Sequence, residues 1–378
     1  MNIQTDRIIS DSLNYMRFPL AIIVVLCHIV TNGPLEIQGN IIGFDNMPLL
    51  KFFNVFVDAT LRGISVPIFF VISGYMFFRE GVFNEKIYAK KIKNRIKTLL
   101  IPYIVWNAIA VGLRLFYTLP IFETLMPTLH NINLDFSISA ILNTFWDANK
   151  GIFSELPTDH SFPENAPLWF LRELMILVLL TPCFYCVIKK MKSFILVSSI
   201  VYISIIFIDL GYIGSLLYCS YFFCLGAYFS LNKKNIINTF EELRMITYIG
   251  YPLTIILYLI CFYCDMTFLL EFVKSISVLF ALLFSYNISY EAVNKGKKMS
   301  KFIASSSFFI YISHILICMS ISKLLFVFFA PTLSITIIMI YLLSVILTII
   351  LLLSVYYVLN KYMPRMLTFL TGRRSILN

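Results

Sequence analysis

The stretch MRFPLAIIVVLCHIV, residues 16–30, decides the fold. One charged residue opens it, aliphatic side chains fill it, and His28 interrupts it near the end. An α-helix turns about 100° and rises roughly 1.5 Å per residue. Arg17 and His28 are eleven steps apart, so they return to nearly the same face, about 16 Å apart along one stripe. A cation at a membrane interface and an ionisable group inside a bilayer are both expensive, and such groups are functional by default. Taken singly, Arg17 reads as a snorkelling side chain and His28 as a hydrogen-bonded packing residue. Their pairing at helical phase brings the functional and structural readings level.

The rest of the chain has the same character. It is 59% hydrophobic and 13% charged, with a mean hydropathy of +0.85. That composition excludes a soluble globular domain. Apolar runs of about 20 residues recur along its length. They predict ten spans near 12–32, 52–78, 99–117, 166–188, 193–209, 212–230, 245–264, 268–290, 302–327 and 331–359. The expected fold is all-α, a polytopic membrane helix bundle. Residues 1–378 are expected to form a single membrane-embedded domain with no fused soluble domain. The N-terminal run lacks a small-residue cleavage pattern, so it reads as a span and not a signal peptide. One large loop, 118–165, carries Glu123, Asp135, Asp147, Glu155, Asp159 and Glu164 against Lys150. Within it, LDFSISAILNTFW (134–146) is apolar but too short to span, which suits an interfacial or re-entrant piece.

Most of the 30 Lys and Arg residues gather in alternate loops: 79–98, 189–192, 233–244, 295–301 and 361–374. The intervening loops hold only Lys51 and Lys150. The positive-inside rule then places both termini in the cytoplasm, and the expected location is the cytoplasmic (inner) membrane, as a multi-pass protein. The net charge of +10 is accounted for by topology, and no nucleic-acid partner is needed to explain it. Cys183/Cys186 and Cys261/Cys264 fall at opposite ends of the bundle in this topology. They cannot share a tetrahedral site, and no metal is expected.

Five segments carry candidate chemistry. The first is the Arg17–His28 stripe. The second, SVPIFFVISGYMFF (65–78), sets Pro67 and Gly74 around aromatic side chains, which by itself reads as close helix packing. The third, KKIKNRIKTLLIPY (90–103), concentrates Lys90, Lys91, Lys93, Arg95 and Lys97 at the cytoplasmic mouth. It suits a polyphosphate, although charge alone favours a topology signal. APLWFLREL (166–174) places Trp169 at the outer interface with Arg172 and Glu173 just inside it. SFFIYISHI (307–315) places Tyr311 and His314 in the ninth span. If that span enters near Phe302, His314 stands about 18 Å above the cytoplasmic face, matching His28 about 16 Å above Arg17. Glu173, descending from the other face, falls near the same layer. The convergence of His28, His314 and Glu173 predicts a catalytic chamber. Arg62, Arg114, Arg172, Lys274 and Lys323 lie in the outer halves of spans, and part of this set suits an anionic acceptor head group.

Together these segments resemble the acyltransferase-3 superfamily of ten-span membrane acyltransferases. The family pattern of Arg or Lys, ten residues, then His matches Arg17 and His28. FFVISGY (69–75) resembles its second-span motif, and KNRIKTLLIPY (93–103) its basic stretch with Arg95 as the matching arginine. WFL (169–171) and YISH (311–314) fit the later motifs. Lys93 stands where an arginine is found in the family, which removes bidentate phosphate binding there. The resemblance implies transfer of an acyl group, usually acetyl, from acyl-CoA to a hydroxyl of a surface polysaccharide or lipid-linked glycan precursor. It implies Arg17 and Arg95, with Lys93, on the CoA phosphates, and His28 as general base or acyl-accepting nucleophile. His314 and Glu173 would orient His28 or the acceptor. A transporter or flippase for a lipid-linked glycan is the competing reading. It predicts repeat symmetry and paired broken helices, and neither is evident in the sequence. A non-enzymatic component of polysaccharide assembly is the other.

Overall fold

The structure is a computed structural model. It describes residues 3–31, 35–37, 40–42, 46–122, 134–154, 161–205, 207–208, 210–233 and 236–372. Glu123, Glu155 and Asp159 of the large loop, together with Lys234, Arg373 and Arg374, lie outside the described residues.

Each predicted span corresponds to helix. α1 is Ile3–Ile29, followed by a short antiparallel ribbon, β1 Leu35–Ile37 and β2 Asn40–Ile42. α2, Pro48–Val57, runs through a π turn, Asp58–Arg62, and is succeeded by α3, Ser65–Phe77. α4, Glu85–Arg95, passes through a second π turn, Ile96–Leu100, into α5, Ile101–Tyr117. Pro102 has no N–H to return to the preceding turn, which suits a widened junction there. Ile138–Thr144 forms the short α6. α7, Trp169–Leu179, and α8, Thr181–Lys190, make one apolar segment bent by 62°. α9 (Phe194–Ile205), α10 (Gly211–Leu231), α11 (Ile236–Glu242), α12 (Arg244–Tyr263) and α13 (Thr267–Asn294) follow. α14, Lys301–Ser313, and α15, Ile315–Phe329, form a second bent pair, at 75°. α16, Ser334–Tyr362, and α17, Pro364–Leu370, end the described chain. Among the described residues seven helices are long and apolar enough to cross a membrane, or nine with each bent pair as one span. The fifth predicted span is the shorter apolar α9.

The outward faces carry Leu196, Ile249, Met339 and Phe328 in exposed positions. Apolar exposure on this scale suits hydrocarbon and not water. The chain is a multi-pass membrane protein. Backbone approach is closest between α3 and α10, where Gly74 faces Phe223 and Gly226 faces Val71. Without a side chain on either glycine, two helix backbones can touch. Buried hydroxyls are satisfied locally: Ser306, Ser344 and Thr371 donate to carbonyls three or four residues back.

The part of the large loop that is described is tied down by buried polar groups. Arg114 pairs with Glu164 at 3.0 Å, Tyr103 donates to the Phe145 carbonyl, and Glu164 N–H donates to Thr144 O at 2.9 Å. α6 meanwhile leaves Ile138 and Leu142 exposed, as an interfacial segment should.

Candidate active site

Three cations from three helices meet in one cavity of about 510 Å³: Arg17 of α1, Arg95 at the end of α4, and Lys301 at the start of α14. Each is placed by an ordinary local rule. Arg17 lies mid-way along α1. Asn84 caps α4 by accepting from Ile87 N–H, and the α4 macrodipole favours a cation in its last turn. Ser300 caps α14 by accepting from Ile303 N–H, leaving Lys301 as the first helical residue. Ser73 and Ser305 add hydroxyls to the wall, and Tyr311 lines it as well. None of the three cations carries an ion pair among the described residues. Like charges converging without counter-charges are unfavourable alone, and an anion relieves them. Lys93 is exposed and lines a neighbouring cavity with Lys90 and Lys97, with Arg95 shared between the two.

His28 and His314 are brought together, with ring centroids 5.1 Å apart and planes tilted by 46°. Straight-helix depth puts His28 well inside its span, whereas the structure places it in the last turn of α1. That helix end is held from α2 and the π turn. Arg62 donates to Cys27 O at 3.1 Å and Val30 O at 3.0 Å while pairing with Asp58 at 2.6 Å. Asn54 donates to Thr31 O at 2.7 Å. These side chains take carbonyls that a helix end leaves without internal partners.

His314 is the residue at which α14 breaks from α15. It is fully buried. Its Nδ1 lies 2.7 Å from Tyr311 O and 3.2 Å from Ile310 O. A carbonyl only accepts, so the network assigns the proton to Nδ1 and leaves Nε2 as a lone pair. That Nε2 is buried without a hydrogen-bond partner among the described residues. Leaving such a group unanswered costs about 1–3 kcal/mol. Tyr311 joins the two halves of the site: its ring lines the cationic cavity, its hydroxyl donates to Pro167 O, and its carbonyl holds His314.

Glu173 stands apart from the histidines in its bonding. Oε1 accepts from Arg172 Nε at 3.1 Å and Nη2 at 2.9 Å, and Oε2 accepts from Tyr212 at 3.0 Å. Arg172 in turn donates to Trp146 O and to Ser161 O, so this buried pair anchors the large loop. No hydrogen bond or ion pair joins Glu173 to His28 or His314 among the described residues. The outer cations are likewise distributed: Arg172 and Arg114 hold the loop, and Arg62 and Lys274 line a small cavity of about 130 Å³. Among the described residues no group of three or more His, Cys, Asp or Glu side chains converges as a metal site.

Sequence reasoning missed Lys301 as a site residue because it sits in a basic loop that topology already explained. The signal was present in Lys301, Ser305, Phe308 and Tyr311, which recur at helical spacing on one face leading to His314. The role of Asn165 had no such signal. It donates to Ile312 O at 3.0 Å across 147 residues of chain.

Comparison with known proteins bears on this arrangement. Residues 10–357 match the acyltransferase-3 family model, described as an acyltransferase domain. The chain is similar to the succinoglycan biosynthesis protein ExoH of Rhizobium meliloti (strain 1021), with 26% identity over 197 residues. That alignment covers 52% of this chain and 48% of the relative, so it spans about half the length of the curated protein. No solved structure matches the chain.

Proposed function

Because the chain belongs to the acyltransferase-3 family, we propose that it transfers an acyl group from acyl-CoA to a hydroxyl of a surface polysaccharide or its lipid-linked precursor. The observation that carries this reading is the cavity shared by Arg17, Arg95 and Lys301, three cations from separate helices with no ion pair among the described residues. Phosphate oxygens of CoA supply the missing counter-charge, and arginine offers them paired donors. In the bilayer the basic end faces the cytoplasm, where acyl-CoA is available, and the membrane is the cytoplasmic one. From Lys301 to His314 is about 20 Å along α14, and the donor's arm runs that way with its thioester toward the histidines. Acetyl is the proposed acyl group. The name of the relative, a succinoglycan biosynthesis protein, supports a glycan as acceptor.

His28, the more accessible ring, takes the proton of the acceptor hydroxyl as that oxygen attacks the thioester carbon. His314 Nε2, a lone pair one ring away with no partner among the described residues, is an acceptor for the other N–H of His28 once that ring turns toward it. The thiol leaves with a proton returned from His28. Lys93 adds charge at the mouth and not at the chamber. The transporter reading gains one observation: it predicted broken helices, and two bent pairs are present.

Purified protein in lipid, supplied with radiolabelled acetyl-CoA and a lipid-linked glycan pool, separates the readings. Label on glycan in wild type, lost in His28→Ala, is the expected result. Glycan binding with no label from acetyl-CoA or succinyl-CoA moves transport or assembly ahead.

A further inference from the structure

We infer that Phe69, Phe170 and Tyr311 form an aromatic constriction on the donor's path to the histidines, and that Phe69 limits the acyl group to about the size of acetyl. This deepens the acyl-transfer reading given above and rests on it.

The cationic cavity stops short of the histidine pair. Arg17, Arg95 and Lys301 mark its mouth. Along α14 its wall runs from Lys301 through Ser305 and Phe308 and ends at Tyr311, about 15 Å on. His314 lies one turn further. Among the described residues that line the cavity there is neither His28 nor His314.

Three aromatic rings from three helices close that far end. The Phe69 ring of α3 stands 5.9 Å from that of Phe170 of α7 and 6.0 Å from that of Tyr311, centroid to centroid. Phe170 and Tyr311 are 5.8 Å apart. Each ring therefore meets both others, and all three line the cavity. The planes are steeply inclined, by 81° for Phe170 on Tyr311 and 64° for Phe69 on Tyr311. Aromatic pairs prefer inclined contact at centroid separations of about 4.5–7 Å, so the closed triangle is a favourable resting arrangement. Beyond it the next ring is His314, 6.3 Å from Tyr311, and then His28, 5.1 Å from His314. In sequence the three aromatics belong to separate segments, FFVISGY, WFL and YISH. In space they are one element, between the cations and the histidines.

A donor held by its phosphates at the mouth enters with its acyl end first. Its thioester carbon has to stand beside His28 for the acceptor to attack it, so the sulfur and the acyl group lie against the triangle. The rings are in contact, and each carbon added to the acyl group has to displace one of them. Tyr311 is fixed at two points: its hydroxyl donates to Pro167 O, and its carbonyl accepts from His314. Phe170 is buried and backed by Phe70, ring centroids 4.6 Å apart. Phe69 is only half-buried, so it is the ring that yields. Acetyl asks for the smallest displacement, which makes Phe69 a specificity-determining residue.

The test is the ratio of kcat/KM for isobutyryl-CoA to that for acetyl-CoA, measured on protein in lipid with a lipid-linked glycan pool. Both donors meet the same folded fraction, so a merely structural defect cancels. Wild type prefers acetyl-CoA. Phe69→Ala raises the isobutyryl-to-acetyl ratio by about 10-fold or more, because a single methylene in an apolar site discriminates by about 10–200-fold. Phe69→Trp lowers the ratio below that of wild type. Ile72→Ala removes bulk from the same wall outside the triangle and keeps the wild-type ratio. A ratio in Phe69→Ala within about twofold of wild type overturns the constriction, as does an equal rise in Ile72→Ala. If Phe69→Ala fails to fold or loses all transfer, Phe69→Leu carries the same test, and a wild-type ratio there overturns the constriction. Wild type that uses isobutyryl-CoA as well as acetyl-CoA overturns it while acyl transfer stands. No acyl transfer by wild type from any donor overturns the acyl-transfer reading and the constriction with it.

Discussion

Gly74→Ala tests the packing on which the chamber rests. Gly74 belongs to FFVISGY, and Ser73 beside it lines the cationic cavity. A Cβ built on Gly74 overlaps Phe223 O of α10 and stands 2.8 Å from Phe223 C and 3.2 Å from Ala227 N. The obstacle is backbone, so no rotamer change relieves it. Gly226 is the reciprocal case: its Cβ overlaps Val71 O and stands 2.8 Å from Tyr75 N. The helices must part by about 1.5 Å before either Cβ reaches 3.4 Å, ordinary contact. A gap of 0.5–1 Å already forfeits a quarter to a half of each dispersion contact, so this displacement costs the pair most of its local packing. Overpacking of this kind costs about 1–3 kcal/mol, and a backbone obstacle places it at the upper end, ~3 kcal/mol. Gly226→Ala requires the same displacement. The double variant therefore costs little more than either single one, ~3 and not ~6 kcal/mol, a coupling within the range for residues in contact. Equilibrium unfolding in lipid–detergent mixtures measures all three. A loss below about 0.5 kcal/mol in either single variant refutes the close approach. Full additivity refutes the shared displacement.

Arg17→Ala and Lys301→Ala each raise the KM for acetyl-CoA by about 10–100-fold while kcat per folded molecule is kept, because a charge-assisted phosphate contact contributes about 1.5–3 kcal/mol; steady-state kinetics checks this, with Lys93→Ala remaining within about twofold. Glu173→Gln leaves Arg172 buried without its counter-charge and lowers stability by about 3–5 kcal/mol. Its kcat per folded molecule stays near wild type, and a selective kcat loss would return Glu173 to the chemistry. Asn165→Ala strips the donor from the buried Ile312 carbonyl and costs about 1–3 kcal/mol, read in the same unfolding assay. Arg62→Gln releases the Cys27 and Val30 carbonyls at the end of α1, and kcat falls with donor KM unchanged, as expected for a positioning residue behind His28.

Hydrophobic runs and the loop charges made the helices legible, because the bilayer demands both whatever the tertiary contacts are. Arg17 and Arg95 were legible as partners for a related reason: a cation at the edge of an apolar run is restricted to a narrow band of depth. Depth along an axis is not direction around it, however. Glu173 shares a layer with the histidines on straight-helix arithmetic, yet its carboxylate is taken by Arg172 and Tyr212. The bend at Leu180 has Pro182 in the first turn of the following helix and was open to reading. The bend at His314 has neither Pro nor Gly. The carbonyls just before it accept from side chains, Ile312 O from Asn165 Nδ2 and Tyr311 O from His314 Nδ1. The first of these partners is 147 residues away in sequence, and no local pattern announces it. The consequence reaches the chemistry. The break sets His314 at the corner between α14 and α15, with its ring 5.1 Å from that of His28. The residues bonded at this break thus fix the histidine pair on which the proposed chemistry depends, and Asn165 is the one to substitute first.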